Sequence, residues 1–260
     1  MQNIDPFVLL EPVIYIAISV GLVVYWRMRR RLTVPVLVLA LIAYAGAIAL
    51  KVFVQSFTYD SVTTAFGRVS WQTGLYFGVQ TSFFEVGLAY LVAKVAFSRK
   101  QIAGQDGEAY GISLAFWENG ILLGALTLIN LATTYLLIAE GLFPSSTYQT
   151  LVSSSPSLFD QAQNLALPMA FGVLERVSSL LAHFAWGYLC VMAACMRKTT
   201  YLAIALPMGL IDALVPFASE MPLWTFETVI FVVSLGFLAI AWTATKAARE
   251  SGYALLPPKD

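Results

Sequence analysis

Charge is what this chain has least of. Only 12% of its 260 residues are Asp, Glu, Lys or Arg, against roughly 25% in an ordinary soluble domain. It has one histidine, two cysteines and no surplus of either sign, with 15 basic residues against 15 acidic ones. Each scarcity excludes something. Without a basic excess nothing is available to meet phosphates, so nucleic acid is not a partner. A lone histidine, His183, cannot build the two- or three-histidine sets usual for catalytic zinc. Any metal must then lean on Asp and Glu, in a harder, oxygen-rich site. Cys190 and Cys195 lie on one predicted helix at a spacing that points them to different faces, which argues against a disulfide. The opening MQNIDPF lacks a basic region followed by a small-residue cleavage site, so the first apolar run is expected to be a retained helix. No internal repeat and no inverted repeat are visible, which disfavours a secondary transporter of the usual kind.

What fills the chain instead is apolar. Hydrophobic residues make up 59% and the mean hydropathy is +0.76. The expected fold class is all-α: a polytopic transmembrane helical bundle forming a single integral membrane domain over residues 1–260, in the cell membrane, with the lipid bilayer as its surroundings. Seven runs are long enough to cross at about 20 residues each: 8–26, 33–55, 72–97, 109–139, 165–196, 200–218 and 222–246. The stretch 56–70 is expected to be a polar connection, 140–164 a loop rich in Ser, Pro, Gln and Asn, and the tail SGYALLPPKD a short disordered end. With seven spans, Arg27, Arg29, Arg30, Arg31, Lys94, Arg99, Lys100, Arg197, Lys198, Lys246, Arg249 and Lys259 fall on one side, and the loop 140–164 has no Lys or Arg. The N-terminus is therefore expected outside and the C-terminus in the cytoplasm. Lys51, Arg68 and Arg176 alone fall elsewhere. Gly74-x-x-x-Gly78 and Gly120-x-x-x-Gly124 are expected to be ordinary close-packing sites.

The few ionisable residues inside spans carry the functional expectation, because each costs about 2.5–3.5 kcal/mol at a helix centre on insertion scales. At about 1.5 Å per residue from the cytoplasmic ends, Glu85 lies about 18 Å deep, Glu118 about 14 Å, His183 about 20 Å and Asp212 about 18 Å. Four residues on four helices thus share one slab near mid-membrane. Carboxylates and a histidine at one depth suit a metal or general-base site, and equally a set of hydrogen bonds fastening helices. Glu175 and Arg176 lie further out, about 30 Å from the cytoplasmic end, and are expected to form a structural ion pair. Arg176 shares a face with His183, while Glu175 points about 100° away. A retinal protein is excluded because the last span holds only Lys246, at its end. A G-protein-coupled receptor is excluded because the Glu175-Arg176 pair is on the fifth span.

The order of these motifs resembles the YhfC family of membrane peptidases over about residues 10–215. These are distant relatives of the CAAX-prenyl protease and bacteriocin-processing superfamily, of PrsW-type proteases and of the Aph subunit of gamma-secretase. The family's Glu-Glu-x-x-Arg motif is similar to the stretch from Phe84-Glu85 to Leu88. Its Gly-His-Gly-Gly-x-Glu motif is similar to Ser113-Leu114 through Glu118. Its Glu-Arg pair followed by histidine is similar to Glu175, Arg176 and His183. Its His-x-x-x-Asp motif is similar to the stretch from Met208 to Asp212. The resemblance implies an intramembrane protease cavity, with Glu85, Glu118, His183 and Asp212 as the catalytic set. His183 would serve as a ligand to a divalent metal such as zinc. Phe84, Leu88, Leu114 and Met208 stand where the family has a glutamate, an arginine and two histidines. This implies a catalytically degenerate member that binds a transmembrane peptide or a membrane-protein partner. The alternative is a working peptidase with Glu85 or Glu118 as base and His183 and Asp212 orienting water or metal. A small-ligand or ion transporter using the same cavity is a second alternative.

Overall fold

The computed structural model describes residues 4–29, 32–246 and 250. Arg30, Arg31, Arg249, Lys259 and the tail from Ser251 lie outside them, so part of the basic pattern and the expected disordered end do too. Among the described residues every regular element is helical. Seven helices among the described residues are long and apolar enough to cross a membrane: Pro6–Met28, Val34–Phe66, Trp71–Ser98, Gly104–Ala139, Ala162–Met196, Thr199–Phe217 and Leu223–Ala244. They are called the first to seventh spans below. This is a multi-pass membrane protein.

The fifth span is the hub. Its most apolar window is 67% buried, against 11–39% for the other six, so it is the helix the rest pack around. From Ala185 to Ala194 it is buried without a break. Small residues let its neighbours approach: Ala89, Ala93, Ala96 and Ala109 all belong to this central core. The fourth span crosses the fifth closely where Gly111 meets Gly187. A Cβ added at Gly187 would lie 2.6 Å from the Gly111 Cα, and one at Gly111 would lie 2.7 Å from the Phe184 carbonyl oxygen. Only paired glycines permit that contact. The two expected packing motifs behave in the same way. A Cβ on Gly78 would sit 3.1 Å from the backbone of Leu210 on the sixth span, and one on Gly120 would sit 2.9 Å from Ser19 on the first. Cys190 and Cys195 are both free thiols.

Three departures from the sequence reading have local causes. The second span does not stop at residue 55 but runs to Phe66. The hydroxyls that look like loop signals fold back onto the helix: Thr58 Oγ1 donates to the Val54 carbonyl at 2.7 Å and Thr63 Oγ1 to that of Tyr59 at 3.0 Å. Self-satisfied threonines do not break a helix; Gly67, at φ 84°, ends it. The 140–164 loop contains a helix, Ser145–Ser154, and a 3₁₀ turn, Pro156–Phe159. It folds down through Tyr148 onto a small core with Ile4, Val8, Ile138, Leu165 and Met169.

The third departure concerns helix type. Thr81–Val86 of the third span and Phe116–Leu126 of the fourth are π-helical. The sixth span is α-helical only over Thr199–Ala205, then 3₁₀ over Leu206–Ser219. Such a long 3₁₀ run is unusual, and π segments concentrate at functional sites. Glu85, Glu118 and Asp212 each sit on one of these irregular stretches.

Candidate metal centre

The irregular stretches bring their acids to one cavity of about 270 Å³ between the second to seventh spans. Ile48, Leu122, Ile211, Val215, Phe226 and Ile230 form its apolar wall. Lys51, Glu85, Glu118, Arg176, His183 and Asp212 supply the polar part. All four expected site residues therefore reach the same cavity, but they do not play equal parts in it.

Glu85, Glu118 and His183 form the inner group. Their ligand atoms lie within 4.8 Å of one another. His183 Nε2 is 2.9 Å from Glu118 Oε2 and 3.4 Å from Glu85 Oε2. His183 Nδ1 faces the Ser179 backbone carbonyl at 2.9 Å. A carbonyl can only accept, so Nδ1 carries the hydrogen. In the neutral ring that leaves Nε2 as a bare lone pair turned towards two carboxylate oxygens. Nε2 is buried and makes no hydrogen bond of acceptable geometry despite its short contacts. Three acceptors facing one another repel unless a proton on Nε2 or a metal ion stands between them.

A metal fits that demand. Nitrogen and oxygen ligands at about 2.0–2.2 Å from a tetrahedral zinc stand about 3.3–3.6 Å apart; the His183–Glu85 contact of 3.4 Å falls in that range and the His183–Glu118 contact of 2.9 Å is shorter. The ring's other nitrogen is fixed by a backbone carbonyl, the outer support that metal-bound histidines ordinarily have. Charge points the same way. Outward from the triad run Lys51 and Asp212 on one side and Arg176 and Glu175 on the other. With His183 neutral, four carboxylates against two cations leave a formal charge of −2, which a divalent cation cancels.

Asp212 stands outside the triad. Its Oδ2 accepts hydrogen bonds from Thr81 and, at 3.3 Å, from Lys51 Nζ. Lys51 Nζ also donates to Thr81 Oγ1 at 2.6 Å and to Glu85 Oε1. Lys51 is the functional residue that sequence reasoning passed over as an exception to the charge pattern. The available signal was its register: Tyr44, Ile48 and Lys51 share one helical stripe, and a lone cation on such a stripe asks for an acid across it.

Arg176 contacts Glu175 and is not remote from the site. Its Nη1 reaches Glu118 Oε1 at 3.4 Å and Asn119 Oδ1 at 3.3 Å. The Glu175 carboxylate bonds the Arg176 guanidinium rather than turning to another helix. Long side chains close the gap that counting Cα depth leaves open. Leu114 and Met208, where the resemblance places family histidines, are buried in the helical core and do not line the cavity.

The chain matches the family described as YhfC intramembrane metalloprotease over residues 14–235. No curated protein and no solved structure matches the chain.

Proposed function

The chain belongs to the YhfC intramembrane metalloprotease family, and from that premise we propose that it is a metal-dependent peptidase acting on a membrane-embedded peptide segment. The observation that carries this reading is the buried His183 Nε2 facing the inner oxygens of Glu118 and Glu85 at 2.9 and 3.4 Å. These three residues would hold a divalent metal, zinc by the nitrogen-and-oxygen donor set. When bound, it would supply Lewis-acid polarisation of a carbonyl and a nucleophilic water near neutral pH.

The remaining steps belong to the chain's own groups. The apolar wall binds the hydrophobic flanks of the peptide and excludes bulk water. Asp212 has the more open side chain, 33% exposed against 9% for Glu85, and has no place in the donor triad. It is suited to take a proton from the attacking water and return it to the leaving amine. Lys51 bridges Asp212 and Glu85 and holds the two acids side by side. The basic residues at alternate span ends support a cytoplasmic C-terminus.

A second reading follows from the single histidine. With Leu114 and Met208 at family histidine positions, the cavity would hold a transmembrane segment or a membrane partner without cutting it. One assay separates the two. Detergent-purified protein is loaded with zinc and offered a library of apolar helical peptides. Turnover that a chelator abolishes, and that Glu118→Gln lowers by about 10²–10⁴-fold, supports the peptidase. Saturable peptide binding without turnover, unchanged by chelator, supports the binding protein.

A further inference from the structure

We infer that Lys51 and Arg176 are positioning residues that divide the oxygens of the two glutamates, holding the outer oxygen of each so that only the inner one faces His183. The inference rests on the metal reading above and deepens it.

The division is visible atom by atom. Lys51 donates to Glu85 Oε1, while Glu85 Oε2 is the oxygen turned to His183. Arg176 Nη1 reaches Glu118 Oε1 at 3.4 Å, and Ser179 Oγ donates to that same oxygen at 3.2 Å. Glu118 Oε2 is again the oxygen turned to His183. Neither cation is free to swing. The Lys51 ammonium has three N–H bonds and three acceptors, on Thr81, Glu85 and Asp212. Arg176 is held by Glu175 and Asn119.

The consequence is one of coordination number. A carboxylate whose outer oxygen is occupied meets a cation through one oxygen; a freed one can chelate through two. Two single-oxygen glutamates and one imidazole make three protein ligands, the count that leaves a catalytic zinc its open fourth position. Two chelating glutamates would supply five donors and close it. The two cations therefore keep the site open, a task distinct from cancelling charge, which a cation anywhere in the cavity would do.

Cobalt(II) is the probe, because four-coordinate cobalt absorbs far more strongly in the visible than five- or six-coordinate cobalt. The full chain is compared with two pair variants, Lys51→Met with Asp212→Leu, and Arg176→Met with Glu175→Leu. Each removes one cation and one anion, leaving the formal charge unchanged while freeing the outer oxygen of one glutamate. The wild type is expected to bind one cobalt with the intense four-coordinate band. Each pair variant is expected to bind one cobalt with that band weakened severalfold. Should a pair variant not fold, Lys51→Gln, which keeps a donor for Thr81 without an ammonium on Glu85, is read by the same criterion. An intense band unchanged in the variants overturns the positioning role, and so does loss of cobalt binding from a folded variant. A wild type that binds no cobalt overturns the metal reading itself, and this inference with it.

Discussion

Glu85 and Glu118 both end beside His183, but the arms that bring them there are built differently. On the Glu85 side one ammonium ties three spans together: Lys51 on the second, Thr81 and Glu85 on the third, and Asp212 on the sixth. On the Glu118 side Arg176 pairs with its own chain neighbour Glu175, and its bond to Glu118 is long at 3.4 Å. Exposure follows the same division, with the Glu118 side chain 18% exposed and Glu85 9%. The comparison teaches that Glu85 is a fixed ligand set by tertiary structure, whereas Glu118 is the adjustable one, nearer the open part of the cavity. A site that must admit a peptide and still hold its metal gains from one rigid and one yielding carboxylate.

The largest effect is expected where the arms meet. His183→Ala removes the group they share, and stoichiometric metal binding should be lost along with peptide turnover, as checked by elemental analysis and cleavage assay. Next comes the rigid arm. Lys51→Met leaves Glu85 and Asp212 without their cation, and should cost about 3–5 kcal/mol of stability, read as a lower unfolding midpoint in detergent. The yielding arm should be more tolerant. Arg176→Met should cost about 1–3 kcal/mol, because Glu175, whose side chain is 43% exposed, can turn to water. A loss from Arg176→Met equal to that from Lys51→Met would erase the contrast. The smallest effect is expected from Tyr15→Phe, which deletes the hydroxyl that donates to Glu11 at 2.5 Å but keeps the ring over which the Arg176 guanidinium lies at 5.9 Å. About 1 kcal/mol or less of stability should go, with metal binding unchanged.

Much of the frame is legible in the residues. Seven hydrophobic runs appear as seven spans, because the bilayer leaves few alternatives to a helix. The shared depth of Glu85, Glu118 and His183 is legible too, since a constant rise per residue turns position into height. What sequence does not carry is how far a side chain reaches. Arg176 looks a long way out by backbone count, yet touches Glu118 through its guanidinium. Asp212 looks like a member of the inner group, yet its oxygen faces Thr81 and Lys51. Nor do the π segments at Thr81–Val86 and Phe116–Leu126 leave a pattern, because packing against other spans, not local preference, selects them. The helix beyond residue 55 is hidden for a simpler reason: Thr58 and Thr63 are ambiguous until their hydroxyls are seen to bond within the helix.

The central claim is that one divalent cation is shared by Glu85, Glu118 and His183. X-ray absorption at the zinc edge of the purified, zinc-loaded chain tests it most directly. The account predicts one zinc per chain with a first shell of nitrogen and oxygen at about 2.0–2.2 Å, containing a single imidazole that disappears in His183→Ala. Zinc bound without an imidazole, or no stoichiometric zinc at all, would contradict it.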